Sequence, residues 1–384
     1  MTTIPKQASV VIIGGGIMGV ATAYELAAAG IRDVVLLDKG GFGEASTCRA
    51  AGGIRAQFSD EVNVQLGARS LEIFENFETL FDQAIDLHQV GYLFLLDDDE
   101  AVDMFTANAE LQTRLGLESH IISPAEAKKL SPQAVTGDLV AAAWTPRDGH
   151  CTPESVVVGY VRAARKAGAR LISGCAATDI DIVDGRIAGV QTVAGPIATD
   201  TVICAAGAWS KEVGEWAGVT LPIEPLRRQI LITEPIEGLA ADTPFTIDHR
   251  TGLYFHNEGP GLLMGMSYRG EEPGFCTSMS DDWLEDLCGA MERRIPHLQD
   301  VGFCSGWAGL YENTPDHNAL IGQSSAVPGF FYAAGFSGHG FLQGPAIGEV
   351  MRDLVRGEQP FVDVSSFNAD RFAGNTWRPE LNIV

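Results

Sequence analysis

At 384 residues the chain is too long for one simple core and short for three, so a two-domain or interleaved organisation is expected. Hydrophobic residues make up 46% against 20% charged, which excludes a disordered chain, and the 44 glycines carry no collagen-like period. Fifty acids against 26 bases leave a net charge of −24, which repels phosphate backbones and anionic membranes and so argues against nucleic acid or polybasic lipid docking.

Residues 8–24 carry no charge but hold four glycines and end at Glu25 without a small-residue cleavage pattern. Neither a membrane span nor a targeting segment is expected there. Within them, residues 9–13 (SVVII) read as a buried parallel strand. Gly14-Gly15-Gly16-Ile17-Met18-Gly19 supplies G-x-G-x-x-G, residues 20–29 read as an alanine-rich helix stopped by Gly30, and residues 33–37 as a second strand ending at Asp38. In that order Gly14 allows the tight turn, Gly16 lets the backbone approach a pyrophosphate, and Gly19 lets helix and strand pack closely. The helix N-terminus presents free N–H groups to the phosphates. Asp38 can accept hydrogen bonds from both ribose hydroxyls. A dinucleotide is expected, and NAD and FAD share this fingerprint.

Further along, residues 156–167 read as a helix and 229–233, 252–256 and 262–266 as strands. Residues 279–294 read as a polar-faced helix before Pro296, and 345–354 as a helix that Pro345 could open. A strand-to-glycine turn at Gly207 and a glycine cluster at 335–344 imply several backbone approaches to one extended ligand, which favours FAD over NAD. Amides of the 338–340 segment could stabilise negative charge on a flavin ring. The seven cysteines are odd in number and show no C-x-x-C, and the eight histidines form no H-x-x-x-H pair. That pattern fits a reducing, cytoplasmic setting without disulfides, zinc or other metal.

Residues 44–55 (EASTCRAAGGIR) resemble the loop after the second strand in the D-amino-acid oxidase superfamily of flavoproteins, and more narrowly its glycine oxidase, sarcosine oxidase and proline dehydrogenase β-subunit branch. Residues 148–155 (DGHCTPES), 202–209 (VICAAGAW), 307–316 (WAGLYENTPD) and 335–341 (GFSGHGF) resemble further elements of that family, in the same order. The resemblance implies an α/β fold with a Rossmann-like FAD-binding domain, from about 1–85, 145–220 and 305–384. An α+β substrate domain on an antiparallel or mixed sheet would come from 86–144 and 221–304. It further implies cofactor contacts at Gly14, Gly16, Ile17, Met18, Gly19, Asp38, Lys39, Ser46, Thr47, Arg49, Ala50, Ala51, Gly52 and Gly53. Ala177, Ala206, Gly207, Trp209, Gly338, His339, Gly340, Phe341 and Leu342 complete that set.

The chemistry so implied is hydride transfer from the carbon next to nitrogen of a small secondary amine or amino acid to flavin N5, giving an imine that water hydrolyses. The flavin carries that chemistry, so no triad or carboxylate pair is required. Arg55 is the implied carboxylate grip, with an ordinary ion pair as its rival reading. Tyr254, His256 and Tyr311 are implied wall residues. The sequence departs from the family at three points. Leu342 and Leu263 stand where monomeric sarcosine oxidases carry lysines, and Tyr311 where glycine oxidase carries arginine. Gly309 and Arg49 occupy the positions of the flavin-tethering cysteine and histidine of relatives, so FAD is expected to be non-covalent, with Cys48 read as structural. The electron acceptor would be oxygen or another centre, and a homo- or hetero-oligomer is possible. Rival functions are the flavin subunit of a multi-subunit amine dehydrogenase, or an FAD-bound assembly protein without turnover.

Overall fold

The computed structural model describes residues 4–374 and 377–382. Its two largest sheets have six and eight strands. Across the six-stranded sheet the order is Leu320–Gln323, Phe330–Ala334, Val202–Cys204, Val10–Ile13, Val34–Leu37 and Arg170–Ile172. All neighbours are parallel except the edge strand Leu320–Gln323. Val10 and Ile12 enter one buried cluster, Val11 and Ile13 another. Both faces are covered, which is why these strands read as unbroken apolar runs. Helices Ile17–Ala28, Pro153–Ala167 and Gly340–Arg356 pack into the first cluster, and the meander Ala177–Val183, Arg186–Thr192, Gly195–Ala198 covers the second. This is the α/β class with the Rossmann-like sheet that the fingerprint implied.

The eight-stranded sheet runs Phe303–Asn313, Glu224–Thr233, Gly261–Met266, Tyr254–Glu258, Phe245–Asp248, Tyr92–Leu96, Ala141–Thr145, His120–Ile122. It is mixed, with one parallel pair, Phe245–Asp248 on Tyr92–Leu96. Strand Phe303–Asn313 crosses the expected division at 305: it pairs along its length with Glu224–Thr233 and so sits in this sheet. Between the sheets lies the loop after Val34–Leu37, tied by the short pair Gly53–Ile54 with Gly149–His150.

Four helices start away from their sequence-predicted points. The first begins at Ile17, inside the glycine fingerprint, rather than at residue 20. Helix Pro153–Ala167 begins three residues before position 156, with Pro153 in its first turn. Helix Leu284–Arg294 starts five residues later than position 279. There the Ser280 hydroxyl donates to Asp282 at 2.5 Å and accepts the Asp282 N–H at 3.2 Å, a local turn that competes with helix. Helix Gly340–Arg356 starts before Pro345, which sits inside it at the cost of one intrahelical hydrogen bond. Among the described residues no helix is long and apolar enough to cross a membrane.

The helices Ile17–Ala28 and Gly340–Arg356 touch closely. A Cβ on Gly344 would overlap the Ile17 side chain, and one on Gly348 would lie 3.0 Å from the Ala21 backbone carbonyl carbon. Backbone cannot yield as a flexible side chain can. Gly348→Val is therefore expected to destabilise the fold by about 1–3 kcal/mol, measured by urea denaturation, whereas Gly289→Ala, exposed on helix Leu284–Arg294 and facing open space, should not destabilise it.

Candidate active site

A cavity of about 730 Å³ extends from the carboxyl ends of Val10–Ile13 and Val34–Leu37 to the face of the eight-stranded sheet. Of the sequence-predicted residues, Gly14, Gly16, Ile17, Met18, Asp38, Lys39, Ser46, Thr47, Arg49, Ala50, Ala51, Gly52 and Gly53 line it. So do Arg55, Ala177, Ala206, Gly207, Trp209, Tyr254, Tyr311, Gly338, His339, Gly340, Phe341 and Leu342. Gly19 and His256 do not. Gly19 packs its bare backbone against the Gly14 carbonyl, the helix-on-strand contact that its place in the fingerprint requires.

At the first end, Gly14 adopts φ +111°, and a Cβ there would overlap the Ala205 carbonyl. The following helix has Gly16 at its N-cap, no side-chain cap and no acid in its first turn. The Ile17 N–H reaches Thr47 Oγ1 at 3.1 Å. Asp38 accepts the Gly15 N–H at 2.6 Å and the Gly40 N–H at 2.7 Å. A carboxylate has about four lone-pair sites, so holding the turn leaves capacity for hydroxyls. Lys39 Nζ lies 3.3 Å from the Trp209 ring centroid.

A second helix N-terminus, that of Gly340–Arg356, opens on the same cavity. His339 is its N-cap, without a side-chain cap, and no acid lies in its first turn. Burial, with Arg55 nearby, holds the His339 ring neutral. Between the two ends lies Glu312, which sequence reasoning missed. It is half-buried on the wall; Oε1 accepts the Phe336 N–H at 3.4 Å, and Oε2 is out of solvent with no partner. Burial raises its pKa to about 7. The only signal was an acid on an otherwise apolar strand. Two uncapped helix ends, bare glycines and an orphaned oxygen fit an extended, hydroxyl-bearing diphosphate such as FAD.

The far end is aromatic and cationic. Arg55 is buried, its guanidinium 4.3 Å from the Phe58 ring centroid, and it donates to the carbonyls of Gln57 and Asn382. Among the described residues no carboxylate forms an ion pair with it. Buried Asp148 is near enough to feel its charge, but burial raises that carboxyl to about 7, and its Oδ2 has no partner. Asn382 is itself fixed by neighbouring Glu380, which accepts from Ser59, Asp60 and Asn63. Tyr92, Phe245 and Arg228 also line this end and were not foreseen. Leu342 faces the cavity, whereas Leu263 is packed into the sheet's core.

His256 is corrected from wall residue to support. It shares a strand face with Tyr254, but two residues on, about 6.5–7 Å, it has passed the cavity. Its ring nitrogens lie 2.9 Å from the Ala51 carbonyl and 2.8 Å from that of Asn257. Burial lowers its pKa to about 4, so the neutral ring has one N–H and serves only one of those oxygens at a time. Gly309 lies under Arg49, whose Cβ would be 3.0 Å from a Cβ there, and Arg49 donates to the Ala308 carbonyl at 2.5 Å. Cys48 is no tether either: it is not on the cavity wall, and burial pushes its thiol up to about 12.

The family model described as DAO, FAD dependent oxidoreductase, matches residues 9–354. Mitochondrial sarcosine dehydrogenase of Mus musculus is 31% identical over 390 residues, covering 96% of this chain and 42% of its own length. The chain thus spans less than half of that relative. FAD-dependent oxidoreductase domain-containing protein 1 of Xenopus laevis is 31% identical over 429 residues, covering 99% of this chain and 85% of that protein. Among solved structures, L-proline dehydrogenase from P. horikoshii matches with a TM-score of 0.91 at 34% identity, covering 98% of this chain and 100% of that one.

The Glu312 carboxyl has a raised folded pKa, so the stability it contributes is present below its unfolded value and is lost as pH rises through about 7. In the flavin-free protein, urea stability should therefore fall between pH 5 and 8. Glu312→Gln should flatten that fall by roughly 2–3 kcal/mol, and an unchanged slope would show that Glu312 is ionised throughout.

Proposed function

Because the chain belongs to the DAO family of FAD-dependent oxidoreductases, we propose that its substrate is a small secondary amine or amino acid bearing a carboxylate, such as an N-alkyl glycine or a proline-like imino acid. The observation that carries this reading is Arg55: a buried guanidinium with no carboxylate partner among the described residues, at the aromatic end of the cavity. An unpaired buried charge is costly, and a substrate carboxylate removes that cost. Two of its five N–H groups serve Gln57 and Asn382, leaving three to face a ligand.

FAD, when bound, supplies the two-electron acceptor for the C–H bond next to nitrogen. Gly14, Gly16, Asp38 and Thr47 would hold its diphosphate and ribose, and the N-terminus of Gly340–Arg356 its ring edge. The chain's own part is to bind, orient and exclude water. Arg55 fixes the carboxylate, and Tyr92, Phe245, Tyr254 and Tyr311 close an apolar wall around the rest. Arg55, Arg228 and the positive helix end disfavour an ammonium ion, so the cavity favours the neutral amine whose lone pair the oxidation needs. The amine sheds its proton to solvent before it enters; His339, whose pKa burial pulls well below its ordinary value, is a poor acceptor for it. The two-domain division remains our reading of the two sheets, and free thiols at all seven cysteines suit a reducing cytoplasm.

A second reading, a dehydrogenase passing electrons to another protein centre, draws on Leu263, which stands where the resemblance puts the strand lysine that promotes reaction with oxygen. Its mark is slow reoxidation in air and fast reoxidation by an artificial acceptor.

Mixing the yellow protein anaerobically with N-methylglycine, proline and related amines should bleach the flavin; absorbance that stays oxidised across the panel sinks the proposal. Arg55→Met should lower kcat/KM for carboxylate-bearing amines by about ten- to a hundredfold. With Arg49 lying over Gly309, acid precipitation is expected to release the flavin into the supernatant, and colour retained in the pellet would show a covalent bond.

A further inference from the structure

Arg228 is the second cation at the aromatic end of the cavity, and among the described residues no carboxylate pairs with it. It stands on strand Glu224–Thr233, opposite Gly309, in the row of the sheet that faces the cavity beside Ile230. Its Nη1 donates to the Arg227 carbonyl at 3.0 Å, while its Nε is out of solvent with no partner. Its guanidinium carbon lies 5.1 Å from the centroid of the Tyr311 ring. That ring is held in turn by the bare backbone of Gly338, where a Cβ would lie 2.5 Å from it. Among the described residues no carboxylate lies within ion-pair distance of Arg228. Elsewhere this chain does pair its buried arginines: Arg294 meets Asp248 at 2.8 Å and Asp138 at 2.9 Å, and Arg371 meets Asp316 at 2.9 Å.

Arg55 and Arg228 both bear electrostatically on the Tyr311 hydroxyl, whose pKa burial raises and the two guanidiniums pull back. One carboxylate satisfies one guanidinium. Two guanidiniums without a carboxylate partner among the described residues, on one aromatic pocket, are complementary to two anionic groups on one ligand. At a net charge of −24 the chain as a whole repels a dianion, so binding one requires dedicated local cations.

We propose that Arg228 is a specificity-determining residue that receives a second carboxylate, so that the preferred substrate is a dicarboxylic secondary amine, with an acidic arm on each side of the nitrogen. This rests on the amine-oxidation reading of the same cavity, with Arg55 taking the first carboxylate and Arg228 the second. Tyr311, against Arg228 and on the same cavity wall as Arg55, would line the span of the ligand.

Two pairs of probes differ by a single carboxylate. Iminodiacetate and N-methylglycine test turnover; thiodiglycolate and methylthioacetate, which have sulfur in place of nitrogen, test binding through the flavin absorbance without depending on oxidation. Thiodiglycolate is expected to bind at least about tenfold tighter than methylthioacetate. Arg228→Met should weaken thiodiglycolate by about ten- to a hundredfold and change methylthioacetate by less than about threefold. Arg228→Lys should restore part of the difference. Equal binding of the two thioethers overturns the inference, as does an Arg228→Met effect that is the same for both. Loss of FAD from Arg228→Met also overturns it, by placing this arginine on the cofactor. If monocarboxylic amines bleach the flavin without any dicarboxylate preference, the inference fails while the amine reading stands. If no amine bleaches it, the amine reading fails, and the thioether pair still decides whether Arg228 binds a second carboxylate.

Discussion

The whole site depends on two helices being allowed to touch. Ile17–Ala28 and Gly340–Arg356 each leave a parallel strand of the same sheet, and Gly344 against Ile17 and Gly348 against Ala21 set them side by side in the same direction. Their N-termini therefore open on one cavity, uncapped and free of acids. Each end leaves N–H groups unserved and carries a partial positive charge. In a chain this acidic, that local field lets a polyanionic cofactor bind without a cluster of lysines.

Much of this was legible in the sequence because it is local. The strand–glycine–helix–strand order of the first forty residues needs only neighbours in the chain, and Gly14, Gly19 and Asp38 take up their expected places. Helix starts were less legible. Pro345 is a strong stop signal, but here the helix tolerates it in its second turn, since the packing of Gly340–Arg356 on its neighbour outweighs one lost hydrogen bond. His256 showed the limit of strand alternation, which predicts a side chain's face but not how far along the strand a cavity extends. Arg228, Tyr92 and Glu312 stayed hidden because their meaning comes from partners distant in sequence. An arginine after another arginine, or a glutamate in a strand, acquires a role only when the fold sets it on a cavity wall with polar atoms out of solvent and unserved.

That distinction between paired and unpaired charge separates scaffold from site. Arg294 with Asp248 and Asp138, and Arg371 with Asp316, are satisfied within the fold. Arg55, Arg228, Glu312 and Asp148 are the contrasting set: buried or half-buried groups with open valences, all at or beside one cavity. A fold keeps such destabilising groups where something else completes them.

The loop from Thr47 to Arg55 is tied to the helix Ile17–Ala28 on one side, through Thr47 and the Ile17 N–H, and to the eight-stranded sheet on the other. The Trp307 indole N–H donates to the Arg49 carbonyl at 3.0 Å, His256 lies 2.9 Å from the Ala51 carbonyl, and Gly53–Ile54 pairs with Gly149–His150. Such stitching makes the loop a clasp rather than a flap. Cofactor exchange must then wait for several backbone contacts to part together, so uptake by the empty protein should be slow and nearly independent of how much flavin is supplied, limited by the clasp's own unfastening.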